Sequence, residues 1–469
     1  MILSISKNKR NLLSVIGANF FVLFIGIIQS FVLPKLLSPN QYGIWELYLL
    51  YISYAGLFNI GVSDGIYLIY SGKSYDELDK SKFKAYFNIV VYLLTFLLVI
   101  WSLFQIIRNG ENMLLMLLVG ISSYLVCIIN FTVMIDQATS RFAIYSKGHI
   151  IEKLVIMLGS LFLFKWRGAV VVICASIIGK LITAIYYYSQ TMPILSSVHA
   201  PYTSVLQDIR SFCFAGIWVT LAAIGTTSMT GIGRFFVKSA LGVTELGYYS
   251  FVLSLSGLFT ILFSAIATVL FPMMRQNSRE EYQKQIMLMD DFLDLVGLLI
   301  LLAYLPARFL LGIWYSKYEP AFDCLIVLFP LVLLQGRTSM IHFTVYKVER
   351  FERQYVYNIF IAMLFCALFC MIGINMWPSI TSIAIATYSS FVIWCILNTS
   401  IYNRISQNKL SYHLAYMLFT GAYIVINLMP GKRGIMLFIS YAITILSIIL
   451  LAKKQVPVLK DMREKTRKG

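Results

Sequence analysis

The sequence predicts an all-α polytopic membrane protein of about fourteen transmembrane helices, arranged as two six-helix lobes followed by a C-terminal helix pair. Three observations lead there. Hydrophobic residues make up 59% of the 469 and charged residues only 13%, with a mean hydropathy of +0.79. A soluble chain carries roughly 45–50% apolar and about 25% charged residues, so too little polar side chain remains here to cover a soluble surface. Apolar runs of the ~20 residues demanded by a bilayer core recur along the whole chain. Those runs lack the alternation of a membrane strand, and in lipid only helices or closed barrels satisfy every backbone group.

The runs lie at about 11–33, 42–62, 84–107, 112–135, 142–164, 168–189, 211–233, 246–271, 288–311, 322–345, 355–374, 379–401, 411–429 and 434–452. The first follows Lys7, Lys9 and Arg10, as a secretory signal would. It is too long for a signal core, and no small-residue cleavage site follows it, so it reads as a retained first span.

Orientation follows from Lys and Arg in the short loops. With the N-terminus in the cytoplasm, 26 cations fall on the inner side and 10 on the outer, while Lys180 and Arg337 remain inside spans. Both termini are therefore expected to be cytoplasmic. The same asymmetry accounts for the net charge of +17 without a nucleic-acid partner. Trp45, Trp101, Trp166, Trp314 and Trp377 fall near outer span ends, as an interfacial aromatic belt would place them.

The segment 190–210, with Pro193 and Pro201, is the natural lobe boundary. The expected division is 1–200 for the first lobe, 201–405 for the second, and 406–469 for the last helix pair and a basic tail. A weak internal repeat agrees. At an offset of 204, Phe31 pairs with Phe235, Leu37 with Leu241, Gly43 with Gly247 and Leu49 with Leu253. Both copies would start from the cytoplasm, making the repeat parallel, as in many transporters that handle substrate between lobes.

No enzyme signature is present, and no catalytic residue, cofactor or metal is expected. Gly72-Lys73-Ser74 has the end of a phosphate-binding loop, but Tyr67 stands where its first glycine belongs. The four histidines are scattered. The seven cysteines form no C-x-x-C pair and read as small apolar packing residues.

The informative residues are ionisable groups within spans, each costing at least ~2.5–3.5 kcal/mol to insert. Lys180 and Arg337 fall near the middle of the sixth and tenth spans, and Arg234 ends the seventh. They fit a cationic cavity for an anionic head-group, for which Arg offers a bidentate fork. Snorkelling or a bond to a backbone carbonyl is the alternative. Glu46, Asp64, Asp136, Asp290, Asp291, Asp294 and Asp323 lie at span ends, and no carboxylate is expected at mid-span. Asn19 and Gln29 belong to a polar stripe on the first span. Thr226 and Thr230 belong to the seventh, where ten of the fourteen residues 220–233 are Gly, Ala, Ser or Thr. Such stripes fit either close helix packing or a water-filled groove.

Three stretches resemble Wzx-type polysaccharide flippases of the multidrug/oligosaccharidyl-lipid/polysaccharide exporter superfamily: Phe31–Ile69, Asp136–Leu154 (DQATSRFAIYSKGHIIEKL) and Glu245–Pro272. The resemblance implies two lobes around a central cavity in the bacterial cytoplasmic membrane. It also implies movement of an undecaprenyl-pyrophosphate-linked oligosaccharide from inner to outer leaflet, for surface polysaccharides such as O-antigen or capsule. Polysaccharide polymerase and chain-length proteins are the partners it implies. Where members often carry an Asp-Arg pair at the end of the seventh span, this chain has Gly233-Arg234, which puts a charge-pair gate there in doubt. Two other classes remain open: an exporter of small amphiphiles or drugs, and a membrane glycan polymerase or ligase. The missing deep carboxylate speaks against the first. The outer loop at about 306–321, with Glu319 as its single acid, speaks against the second.

Overall fold

A computed structural model describes residues 21, 24–110, 112–191, 202–276, 279–406, 410–428 and 443–444. Among them there is no strand, and the order is α1 (Phe24–Leu36), α2 (Pro39–Ile52), α3 (Val62–Tyr70), α4 (Lys80–Arg108), α5 (Met113–Ala138), α6 (Phe142–Ser160), α7 (Ala169–Thr191) and α8 (Tyr202–Ala240), then α9 (Val243–Gln276), α10 (Arg279–Leu302), α11 (Tyr304–Trp314), α12 (Phe322–Gly336), α13 (Phe343–Val348), α14 (Glu352–Met376), α15 (Ile380–Ser406) and α16 (Leu410–Leu428). Every expected run from 42–62 to 411–429 contains a helix. By length and apolarity, seven described helices can cross a membrane, or nine if each of two bent pairs counts as one span. The count of fourteen is not established: the last run and most of the first lie outside the described residues, the apolar stretches Phe24–Leu36 and Met417–Leu428 are short, and α6 and α9 are not among the helices counted.

Local chemistry explains where helices start and stop. The Ser38 hydroxyl accepts from the Gln41 amide, and Pro39 occupies the first turn of α2, where its missing N–H costs nothing. Asp79 caps α4 by accepting from the amides of Ser81 and Lys82, and the Ser81 hydroxyl holds its carboxyl below the usual range. The run 42–62 is not one straight helix. The chain turns by 60° between α2 and α3 through Ile60 and Gly61, both left-handed at φ 48° and 79°. A Cβ on Gly61 would lie 2.7 Å from the Ile217 amide nitrogen, so a glycine is required there.

The chain forms two compact units, residues 1–227 and 228–469, with the division inside α8. In the first unit α5 is the hub, packing against α2, α3, α4, α6 and α7. Tyr70, Phe83, Tyr86 and Phe212 stack edge to face around it and join α3, α4 and α8. Asp208 on α8 accepts from Lys82 (3.0 Å) and Tyr86 (2.5 Å) of α4. By contrast α4 turns Tyr92, Phe96, Leu103 and Ile107 outward, the pattern of a helix whose solvent is lipid. In the second unit α12 is central: its apolar window is 89% buried, against 22% for α14.

The expected repeat has a counterpart in element boundaries. The ends of α1 and α8 (Leu36, Ala240) and the starts of α2 and α9 (Pro39, Val243) are each separated by 204 residues.

Candidate functional site

Each unit holds one buried cluster around a cation that the sequence singles out. In the first unit, glycines set the geometry. Gly148 lies under the Tyr187 ring, Gly159 lies against Ala175, and a Cβ on Gly179 would come within 3.2 Å of the Glu152 carbonyl oxygen. These close approaches bring α6 and α7 together and lay Lys180 beside Glu152. The Lys180 ammonium lies 3.4 Å from Glu152 Oε1 and donates to Ser176 Oγ at 2.6 Å, one turn earlier on α7. Ser176 also accepts from the Tyr48 hydroxyl of α2 at 3.4 Å, and Tyr48 shares a 2.7 Å hydrogen bond with Ser122 of α5. Four helices thus meet on one polar thread. The Lys180 side chain is 7% exposed and that of Glu152 17%.

In the second unit, Asp290, Asp294 and Gly297 recur at helical spacing on α10 and turn toward α12. A Cβ on Gly297 would run into the Leu333 side chain, so this glycine permits the approach. Arg337 reaches back with two nitrogens: Nη2 donates to Asp294 Oδ1 at 2.6 Å, and Nε lies 3.3 Å from Asp290 Oδ1. All three side chains are at most 4% exposed. Arg337 opens a π-helical turn, Arg337–His342, between α12 and α13. The wider turn loosens the carbonyl ladder, and hydroxyls compensate. Thr338 Oγ1 donates to the Leu334 carbonyl (2.9 Å) and Ser339 Oγ to that of Gln335 (2.7 Å). Such turns recur at functional sites.

Lys180 and Arg337 belong to different units. Arg234 is half-buried on α8. Of the polar stripes, Gln29 is half-buried on α1, Thr230 is half-buried on α8, and Thr226 is exposed with its hydroxyl turned back to the Ala223 carbonyl at 2.7 Å. Asn19 lies outside the described residues. No group of three or more His, Cys, Asp or Glu side chains among the described residues could hold a metal. A cavity of about 340 Å³ opens between α14 and α15, lined by Phe369, Ile372, Met376, Trp377 and Ile385 among others; it is apolar and carries none of this charge.

The expectation that no carboxylate lies at mid-span is corrected at two places. Glu152 lies inside α6, where the averaging that defines an apolar run hides a single charge. Asp290 and Asp294 lie halfway along α10, because this helix begins at Arg279, nine residues before the apolar run, and breaks at Ala303. Each of these acids has a cation beside it. A further buried acid, Asp136, lies 3.4 Å from Arg141 and accepts from Thr191, while Arg141 donates to the Gln190 carbonyl at 2.8 Å. Asp136 and Arg141 thereby tie the α5–α6 turn to the end of α7.

Comparison with known proteins agrees with this architecture. No curated protein matches the chain significantly in sequence. Among solved structures, the lipid II flippase MurJ in an inward closed conformation superposes with a TM-score of 0.70 at 15% identity, over 95% of this chain and 99% of MurJ. An inward-facing multidrug resistance MATE transporter of the MOP superfamily gives 0.59 at 10% identity, over 85% and 99% of the two chains. The Vibrio cholerae MATE transporter VcmN gives 0.56 at 14%, over 87% and 99%. At such identities the likeness establishes a shared fold. A family model described as polysaccharide biosynthesis protein matches residues 9–278, more than half of the chain. This multi-pass membrane protein therefore belongs to the polysaccharide biosynthesis protein family and has the fold of MurJ and the MATE transporters.

Proposed function

We propose that this protein is a flippase that moves an undecaprenyl-pyrophosphate-linked oligosaccharide from the inner to the outer leaflet of the bacterial cytoplasmic membrane by alternating access. Family membership supports polysaccharide biosynthesis, and the fold is one that a lipid II flippase uses. The observation that carries the substrate class is Lys180. It is a buried ammonium opposed by a single, partly exposed carboxylate at 3.4 Å, a cation that an incoming phosphate could engage. Gln29, Thr226, Thr230 and Arg234 are the further residues we assign to the substrate path; Arg337, held between two buried carboxylates, we assign to the fold rather than to the substrate. Surface polysaccharide such as O-antigen or capsule is the product we infer, and polymerase and chain-length proteins the partners.

Lys180→Ala tests the reading. Removing Lys180 strands only Glu152, which is 17% exposed and has Lys153 within electrostatic reach. The variant should therefore insert and accumulate near the wild-type level while glycan export falls at least tenfold, an effect of ~1.4 kcal/mol. Surface glycan measured per molecule of inserted protein decides it; wild-type export would remove Lys180 from the path.

Both termini are placed in the cytoplasm on the 26-to-10 division of cations. A phosphatase fused after Gly469 should be inactive and a fluorescent protein at the same place bright. An active phosphatase would mean that the number of crossings is odd.

A second reading, export of small amphiphiles or drugs, draws support from the MATE fold and from the acids now found inside α6 and α10. Those acids are ion-paired, which makes them poor receptors for a cationic drug and favours the flippase.

A further inference from the structure

We propose that Glu152 is an internal stand-in for the substrate's anionic group: it neutralises Lys180 while the site is empty, yields it to an entering phosphate, and reclaims it to release the substrate. The proposal rests on the reading of Lys180 as an anion-binding cation and adds a positioning role for Glu152, a residue to which the resemblance and the comparisons give no part.

The argument is geometric. A buried ammonium needs a counter-charge, and a well-formed ammonium–carboxylate hydrogen bond closes to about 2.7–2.9 Å. At 3.4 Å the Lys180–Glu152 pair is looser than that. The tight contact of Lys180 is instead with the neutral Ser176 hydroxyl at 2.6 Å. Ser176 is held in turn by Tyr48, which is fully buried against Ser122. The ammonium is thus held by an uncharged hydroxyl as well as by the carboxylate, and the hydroxyl makes the shorter contact. Glu152 is the more exposed member of the pair. Its side chain is more than twice as exposed as that of Lys180, so an entering anion reaches the carboxylate first.

Other ionisable groups lie near the carboxylate. His149 lies one turn back on α6, set edge-on against Tyr145 at 4.6 Å, and Lys153 follows directly. From α7 Lys180 faces it, and from α2 the Tyr48 hydroxyl is in electrostatic reach. Lys153 is thus a second cation within electrostatic reach of Glu152.

Arg337 serves as the internal contrast. Two carboxylates, each at most 2% exposed, hold it from one face of α10 with a contact as short as 2.6 Å. An entering anion would have to displace both from a closed interior. One cluster is built to exchange its counter-charge and the other to keep it.

The test is binding of farnesyl pyrophosphate, inorganic pyrophosphate and neutral farnesol to the purified full-length protein in detergent. Wild type is compared with Lys180→Gln, Glu152→Gln, Glu152→Asp and the double variant Lys180→Gln/Glu152→Gln. Glu152→Gln should bind farnesyl pyrophosphate roughly tenfold more tightly than wild type, because the anion no longer competes with a carboxylate. Lys180→Gln should bind it at least tenfold more weakly, and the double variant should match Lys180→Gln, since no cation remains to be released. Glu152→Asp, which keeps the charge on a shorter stem, should fall between wild type and Glu152→Gln. Farnesol should not distinguish the five proteins, and inorganic pyrophosphate should rank them as farnesyl pyrophosphate does. In cells Glu152→Gln should export less glycan than wild type despite tighter binding, because release slows.

If Glu152→Gln binds no more tightly than wild type while Lys180→Gln binds more weakly, the stand-in role is overturned and the anion site survives. If Lys180→Gln binds as wild type does, both are overturned. A ranking that farnesol reproduces would assign the effect to the lipid tail and would also overturn the proposal.

Discussion

Replacing Arg337 with leucine is expected to remove most of the folded protein, and replacing Asp290 and Asp294 with asparagine in the same chain is expected to restore much of it. Arg337 lies between two carboxylates that are almost wholly buried, and it binds each through a different nitrogen. Taking the guanidinium away leaves carboxylates in a closed interior. Breaking a buried ion pair from one side costs roughly 3–5 kcal/mol, whereas replacing all of its members together is often nearly neutral. The triple variant therefore separates charge balance from shape. Lysine should recover part of the loss, because it restores charge but not the fork that spans two acceptors. Glutamine should recover less. The measurement is membrane-inserted protein by quantitative blot, with thermal unfolding in detergent. Export per inserted molecule then tells whether Arg337 also meets substrate: an Arg337→Lys protein that accumulates normally yet exports poorly would give Arg337 a part in transport that its closed ion cluster does not suggest. Equal accumulation of Arg337→Leu and wild type would mean that the ion cluster does not support the fold.

Gly216→Val is expected to be as damaging for an unrelated reason. Where α3 crosses α8, a Cβ on Gly216 would overlap both the Gly61 carbonyl and the Gly65 amide nitrogen, and a Cβ on Gly65 would overlap the Phe212 backbone. Neither helix can move a side chain aside, because the colliding atoms are backbone. The crossing is also pinned by Thr220, whose hydroxyl donates to Asp64 Oδ2 at 2.5 Å. The expected destabilisation exceeds about 4 kcal/mol, the range that marks a disrupted core, and the protein should fail to accumulate. Gly257→Ala is the matched control. Nothing lies within 4 Å of its added Cβ, and alanine is the better helix former, so accumulation should be unchanged or improved. Normal accumulation of Gly216→Val would show that α3 and α8 do not meet as described.

The helical architecture was readable because its signal is summed over twenty residues at a time. A run of apolar side chains cannot be anything else in lipid, and helices occupy the expected runs from 42–62 to 411–429. What escaped was whatever depends on one residue or on residues far apart. The bend at Ile60 and Gly61 needs two left-handed residues, which hydropathy does not register. Glu152 disappeared into the average of an apolar run. Asp290 and Asp294 were placed at a span end because the apolar run starts nine residues after the helix does. Lys180 and Arg337 were legible as cations in the wrong solvent, but the acids beside them lie 28 and 43 residues away in sequence. No periodicity links positions so separated. The stretch Asp136–Leu154, which carried part of the family resemblance, proved to hold both the Asp136–Arg141 tie and Glu152.

The π turn at Arg337–His342 changes how the tenth expected span must be numbered. An α-helix advances about 100° per residue, and a π turn accommodates one residue more than the α ladder would. The side chains of α13 therefore point about 100° away from where a wheel drawn through α12 would put them. A relative lacking one residue between 337 and 342 would show an almost unchanged hydropathy profile. Its Arg337 equivalent would nevertheless face a different neighbour whenever the helix beyond the turn stayed in place. Alignments through this span should therefore be anchored separately on either side of the turn, since a gap that looks like noise there is a change of azimuth.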